Sequence, residues 1–163
     1  MNSLKRIILG EDYRATIRRA IILGIIALLV SRYVILPVRA GGSSMEPTVR
    51  DGTWHAANLL KYIGREPQRG DVVLISMAGM KALYLKRILG LPGETVSFLD
   101  GQLFINGLPQ PEPYLAEHGN WRMPAVTVGT DTYFVAGDNR KVTLEEHTYG
   151  LVDRAKIKGG LWF

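Results

Sequence analysis

Ser44 and Lys86 are the two residues of this sequence best suited to nucleophilic chemistry. Ser44 lies in the stretch VRAGGSSMEPTVRDG, residues 38–52, and Lys86 lies in YLKRILGLPGE, residues 84–94. A serine hydroxyl is a poor nucleophile unless a neighbouring base removes its proton. A lysine amine can be that base only when neutral, and lowering its pKa from about 10.4 to about 8 requires roughly 3.3 kcal/mol. Burial among apolar side chains can lower a lysine pKa by this much.

Each of these two segments also has a purely structural interpretation. The Ser44 stretch predicts an ordinary turn, because Pro47 and the serines favour turns. Alternation along a strand places Lys86 on the same face as Tyr84 and Ile88, which favours burial of its amine among apolar groups. The alternative is a lysine that extends from an exposed strand into solvent.

Other reactive residue types are scarce in this chain. The sequence has no cysteine, which excludes disulfides and thiolate chemistry. The three histidines, His55, His118 and His147, are dispersed without the spacing of a metal site, so we expect neither a metal nor a cofactor. His147 is an alternative base, which would replace Lys86 in a Ser-His arrangement.

The elements that must position these residues are predicted to be mainly β. Asp100-Gly101 and Asn106-Gly107 are hairpin signals, because these dipeptides tolerate the positive φ that such turns need. No helix-length periodic stretch follows residue 60, so we expect an antiparallel β-sheet or β-barrel-like catalytic domain over residues 39–163. The predicted strands lie in the segments TWHAANLL, DVVLISMA, ALYLKRIL, TVSFLD, QLFING, TVGTDTYFVAG and YGLVDRAKIKG.

The distribution of charge argues against a nucleic-acid-binding protein. The formal net charge is +5. Residues 1–39 hold seven Lys and Arg against two acidic residues, whereas residues 40–163 hold thirteen basic and thirteen acidic residues. A nucleic-acid-binding domain carries a basic patch on its folded part, and here the excess belongs to the N-terminal segment.

That N-terminal segment predicts a membrane anchor. Residues 20–38 are apolar apart from Ser31 and Arg32, and a helix of this length spans roughly 28 Å, close to the hydrocarbon thickness. Arg32 lies near one end, where it can extend to the headgroups. Basic residues before the span predict a cytoplasmic segment 1–19 and an exported remainder.

Two alternatives to an anchor fit the same segment. It could be a buried helix of a soluble protein, or a removable signal peptide, since Val38 and Ala40 have the spacing of a cleavage site. Arg32 and Pro37 argue against cleavage, because one interrupts the apolar region and the other lies close to the bond that would be cut.

Four segments together resemble those of the type I signal peptidases, membrane-anchored serine proteases. They are SSMEPT, RGDVV, YLKRILGLPGE and GDNR, and they follow the apolar segment in that order. The resemblance covers the chain from about Leu36 to its C-terminus. It implies that Ser44 is the nucleophile, that the Ser44 backbone N–H is an oxyanion donor and that Lys86 is the general base. It also implies substrate contacts for Met45, Pro47 and Tyr84.

The sequence departs from the family pattern near the nucleophile and after the GDNR motif. Some members have a hydroxyl donor two residues before the nucleophile, where this chain has Gly42. In the stretch KVTLEEHTYG, Thr143 falls where the family has a serine that bonds to the catalytic lysine. Glu145 falls where an aspartate shapes the site, and His147 replaces the arginine that pairs with that aspartate, which would make the pair depend on pH.

The resemblance also implies an ion pair and a substrate. Arg87 is expected to pair with Asp138 and so to hold the Lys86 strand against the GDNR loop. The implied activity is removal of signal peptides from exported preproteins at the bacterial cytoplasmic membrane, after small residues at the first and third positions before the cut. The sequence carries no signal of oligomeric state.

Three other functions fit parts of the pattern. One is a specialised maturation protease of a secretion or conjugation system. A second is an inactive, membrane-anchored β domain that binds signal peptides. The third, a Ser-Lys self-cleaving repressor, would need a helical DNA-binding region where this chain has its apolar segment.

Overall fold

The computed structural model describes residues 13–77, 82–144 and 150–162 of the chain. These residues form a helix, a 3₁₀ turn and strands that pair antiparallel in two sheets, which confirms the predicted β class. Contacts divide the chain into two units, residues 1–36 and 37–163. The elements are α1 (Tyr13–Tyr33), β1 (Ile35–Arg39), β2 (Trp54–Asn58), β3 (Val72–Ser76), β4 (Leu83–Gly90), β5 (Thr95–Leu99), β6 (Gln102–Ile105), β7 (Leu108–Pro109), β8 (Met123–Thr127), β9 (Thr132–Ala136), β10 (Gly150–Asp153), the 3₁₀ turn (Arg154–Lys156) and β11 (Ile157–Leu161).

Helix α1 lies closer to the N-terminus than the helix predicted over residues 20–38. It ends at Tyr33, and Ile35–Arg39 is a strand, so the prediction was wrong beyond Tyr33. The physical reason is Pro37, whose ring is incompatible with a helix interior and disfavours helical dihedrals in the residue before it. In the described part of the chain, no helix meets the length and apolarity needed to cross a membrane.

The larger sheet has the strand order β1-β2-β11-β3-β4-β9-β10, and the smaller sheet has the order β7-β6-β5-β8. Strands β4 and β9 lie next to each other in the larger sheet and are buried on both faces. Ile88 and Val135 belong to one hydrophobic cluster with Val73 and Ile75. On the opposite face, Leu89, Phe134 and Ala136 pack with strands of the smaller sheet. The catalytic candidate Lys86 therefore sits in a strand that both cores immobilise.

Both predicted hairpins are present in the smaller sheet. Asp100 and Gly101 have φ of 50° and 80°, and Asn106 and Gly107 have φ of 52° and 78°. These angles match the turn type in which both central residues have positive φ. The turns join β5 to β6 and β6 to β7, with Leu99 opposite Gln102 and Ile105 opposite Leu108.

The sequence prediction missed or merged several strands. It did not include β1, β7 or β8, each of which contains a proline, a residue that weakens any strand assignment. It read YGLVDRAKIKG as a single strand, whereas the 3₁₀ turn separates β10 from β11. Strand β10 is at the sheet edge beside β9, and β11 lies between β2 and β3.

Candidate active site

Ser44 lies in the loop between β1 and β2. Two backbone hydrogen bonds join the ends of this loop. The Ala40 N–H donates to the Thr53 carbonyl at 2.9 Å, and the Gly52 N–H donates back to the Ala40 carbonyl at 2.9 Å. Met45 is 3% exposed and Val49 is equally enclosed, so the loop is fixed by apolar burial as well. Ser44 itself is half-buried.

Gly42 shapes this loop through its backbone. Its φ is +91°, a conformation that other residues rarely adopt. Its N–H donates to Asp51 Oδ1 at 2.8 Å. The Gly42 amide is thus engaged within the loop, and the residue has no hydroxyl to offer as an oxyanion donor.

Lys86 lies in the middle of β4, opposite Val73 of β3. It is only 3% exposed. Burial lowers the pKa of Lys86 to about 8, while the nearby carboxylate of Asp138 acts in the opposite direction. At this pKa roughly a tenth of the amine is neutral at pH 7, and the neutral amine is the form that can accept a proton.

A small cavity, here called the apolar cavity, opens beside Lys86. Its volume is about 70 Å³. Tyr84 and Lys86 share its wall, as strand alternation predicts, and Tyr84 stands at its rim, 41% exposed. The lining residues are Ile75, Met77, Tyr84, Lys86, Val135, Leu151 and Val152.

Arg87 and Asp138 form the ion pair that the family resemblance implies. Arg87 Nε donates to Asp138 Oδ1 at 2.8 Å, and Nη2 donates to Oδ2 at 2.6 Å. Arg87 also donates to the Gly70 carbonyl at 2.7 Å. The Thr48 hydroxyl, from the Ser44 loop, donates to Asp138 Oδ2 at 2.5 Å. This buried bidentate pair therefore connects strand β4 to the Ser44 loop and the GDNR loop.

Asn139 holds the backbone of the candidate nucleophile. Its N–H donates to the Ser44 carbonyl at 3.1 Å, and its side-chain amide donates to the Ser43 carbonyl at 3.2 Å. Because Asp138 binds Arg87 and Asn139 binds Ser44, two consecutive residues of one loop contact both the Lys86 strand and the Ser44 loop. The GDNR motif thus acts as the link between the two candidate catalytic residues.

Sequence reasoning missed a second buried ion pair that supports this loop. Arg140 Nη2 donates to Glu112 Oε1 at 2.5 Å, and both side chains are fully buried. The Tyr114 hydroxyl donates to the same oxygen at 2.6 Å, while its ring lies 3.9 Å from the Arg87 guanidinium carbon. In sequence, Glu112 and Tyr114 alternate with prolines and look like solvated loop residues, so no local signal identified them.

Within the described part of the chain, the other predicted site residues make no hydrogen bond with the side chains of Ser44 or Lys86. Met45 is in the core, which makes it a support of the loop, and Pro47 is exposed. Thr143 is exposed, and within the described residues no hydrogen bond joins it to Lys86. Glu145 and His147 lie outside the described residues. In the ranges 13–77, 82–144 and 150–162 there is no group of His, Cys, Asp and Glu that could hold a metal.

The family described as "Signal peptidase, peptidase S26" matches residues 13–163. A signal peptidase I of Bacillus licheniformis is 35% identical over 158 residues, covering 88% of this chain and 83% of that protein. Signal peptidase IB of Staphylococcus aureus is 30% identical over 157 residues, covering 85% of this chain and 82% of that protein. The crystal structure of a signal peptidase I from Enterococcus faecalis is similar with a TM-score of 0.50 and 32% identity, over 60% of this chain and 98% of that one.

Proposed function

The chain belongs to the signal peptidase family, peptidase S26, and we propose that it is a serine endopeptidase that cuts signal peptides from exported preproteins with Ser44 as nucleophile and Lys86 as general base. The observation that carries the assignment of the base is the burial of Lys86. With a pKa of about 8, roughly 9% of the amine is neutral at pH 7, against about 0.03% at a pKa of 10.5. Burial therefore raises the concentration of the active base about 300-fold.

In the proposed mechanism the Ser44 hydroxyl attacks the carbonyl carbon of the scissile bond as Lys86 removes its proton. The oxyanion that forms accepts a hydrogen bond from the Ser44 N–H. Lys86 then gives the proton to the leaving amine, and the acyl-enzyme is hydrolysed by a water that Lys86 deprotonates. The contacts of Asn139 with the Ser43 and Ser44 carbonyls support this assignment, because they fix the orientation of the peptide unit that would supply the oxyanion donor.

The size of the apolar cavity supports a preference for substrates with a small side chain directly before the cut. Its volume of about 70 Å³ suits a residue the size of alanine, and its lining side chains are apolar apart from the Lys86 amine and the Tyr84 hydroxyl. We propose that the substrate binds in an extended conformation in which alternate side chains enter pockets.

We further propose that the protein acts at the bacterial cytoplasmic membrane, with its N-terminus inside and residues 39–163 outside. The large apolar side chains of α1 between Ile21 and Val30 are exposed, and lipid is the environment that suits such a surface. The basic residues at the start of α1 favour the cytoplasmic side. Membrane fractionation of the full chain and protease protection of each end in sealed vesicles test this topology.

The decisive experiment compares cleavage of a purified preprotein by the full chain in detergent with cleavage by Ser44→Ala and Lys86→Ala. Ser43→Ala is the matched control, because it removes the neighbouring hydroxyl and keeps the backbone contacts. We expect cutting after a small residue by the wild type and the control, and none by the two test variants. The wild-type rate should rise with pH, with a midpoint near 8.

Other outcomes separate the competing functions. A folded wild type that cuts none of several preproteins but binds their signal peptides favours the inactive binding domain. Activity restricted to one preprotein favours a specialised maturation protease. Survival of activity in Lys86→Ala alone would refute the base assignment, and His147→Ala would then be the next variant to assay.

A further inference from the structure

A second and larger cavity lies beside the Ser44 loop. Its volume is about 310 Å³, and we call it the polar cavity. It is lined by Glu46, Pro47, Arg50, Ala116, Asn139 and Lys141. None of these residues lines the apolar cavity, so two separate depressions border the candidate active site.

The polar cavity is bordered by the loop that carries the candidate nucleophile. Glu46 and Pro47 lie two and three residues after Ser44 in the chain, and Asn139, which also lines the cavity, donates its N–H to the Ser44 carbonyl at 3.1 Å. The apolar cavity is instead formed by β3, β4, β9 and β10, on the side of Lys86. A polypeptide cut at Ser44 needs one binding region for the residues before the cut and another for the residues after it, and these two cavities are formed by different elements of the fold.

The charged side chains of the polar cavity differ in whether they have partners. Its lining has two cationic side chains, Arg50 and Lys141, and one carboxylate, Glu46. Lys141 is neutralised by an ion pair of 2.9 Å with Glu117, and Glu46 accepts a hydrogen bond from the Asp51 N–H at 3.3 Å. Arg50 is exposed, and its guanidinium has neither an ion pair nor a hydrogen bond within the residues that the structure describes.

We infer that the polar cavity binds the first residues after the scissile bond and that Arg50 selects an acidic side chain there. The inference rests on the proposed function, because it assigns the cavity to the product that leaves with a new N-terminus. A free guanidinium on an open wall is the group of the site that would gain most from a carboxylate.

The experiment uses peptides that share a small residue at the first and third positions before the cut. Each peptide carries Glu, Gln or Lys at one of positions two to five after the cut. The values of kcat/KM are measured for the full-length wild type, Arg50→Gln and Arg50→Glu in detergent. Arg122→Gln is the matched control, because Arg122 is a highly exposed arginine whose partner is Asp100, outside either cavity.

For the wild type we expect the best-placed Glu peptide to be cut about 1.5- to 5-fold faster than its Gln counterpart, the range typical of exposed ion pairs. The preference should disappear in Arg50→Gln, reverse in favour of Lys in Arg50→Glu, and persist in Arg122→Gln. It should also shrink as the salt concentration rises, because exposed charges are screened. An identical charge preference in the wild type and Arg50→Glu would overturn the inference.

A binding measurement separates failure of this inference from failure of the proposed function. Fluorescence anisotropy of the labelled, uncut peptides is measured with Ser44→Ala and with Ser44→Ala combined with Arg50→Glu. If the wild type cuts all the peptides without any charge dependence, the inference about Arg50 is refuted and the proposed peptidase function still stands. Charge-dependent binding without cleavage keeps the polar cavity as a peptide site and refutes the peptidase.

Discussion

Replacing Lys86 by methionine should abolish cleavage and stabilise the protein at neutral pH. The pKa of Lys86 is lowered from 10.5 to about 8, a difference of roughly 2.5 units, or about 3.4 kcal/mol at 1.36 kcal/mol per unit. At pH 7 most copies of the folded chain therefore carry a buried ammonium, which lowers the free energy of unfolding by about that amount. Methionine is unbranched and apolar and can fill the same position against the wall of the apolar cavity.

The sign of the pH dependence follows from which state binds the proton more tightly. The unfolded chain binds it with the higher pKa, so wild-type stability should rise between about pH 8 and pH 10.5. The advantage of Lys86→Met should be greatest below pH 8, at up to about 3 kcal/mol, and should fall towards zero by about pH 10.5.

The assay is urea unfolding of the full chain in detergent at pH 6.5, 8, 9.5 and 10.5. Lys158→Met is the control, because Lys158 is exposed and its ammonium donates to the Ala155 carbonyl at 2.7 Å. The control should show no comparable gain in the free energy of unfolding. A gain for Lys86→Met that does not change with pH, or a loss of stability at every pH, would refute the reasoning that burial lowers this pKa.

Three further substitutions test the framework of the site. Asp138→Asn should lower the free energy of unfolding by about 3–5 kcal/mol in urea titrations, because it leaves the buried Arg87 unpaired; a loss below 1 kcal/mol would contradict this. Tyr114→Phe should cost about 1.5–3 kcal/mol, since it removes a hydrogen bond to the Glu112 carboxylate and keeps the ring against Arg87; an unchanged urea midpoint would show that the bond contributes nothing. Gly42→Ala should cost about 1–3 kcal/mol through its φ of +91° although its Cβ would meet open space; thermal unfolding that matches the wild type would exclude backbone strain.

Local patterns in the sequence were sufficient to predict the two hairpins and which side chains of β4 share a face. The Asp-Gly and Asn-Gly dipeptides have the positive φ that their chemistry allows. Strict alternation assigned Tyr84 and Lys86 to one wall. These features were predictable because turn geometry and side-chain alternation depend on neighbouring residues only.

The extent of the N-terminal helix was predicted less well, although the signal that ends it was in the sequence. Hydropathy alone favoured a continuous helix to Val38, while Pro37 imposed an extended backbone that became β1. The backbone preference of a single residue outweighed the apolar character of the segment.

The sequence by itself determined the residue types available for chemistry, the β class and the order of the four motifs. The family resemblance implied the pair of Arg87 and Asp138, but only the tertiary structure decided that Arg140 binds Glu112 and so supports the GDNR loop. It also decided how completely Lys86 is enclosed, which alternation along β4 only favoured, and that a polar cavity adjoins the Ser44 loop. The physical reason is that burial, and the pKa it changes, depends on side chains from strands far apart in the chain, which no local pattern encodes.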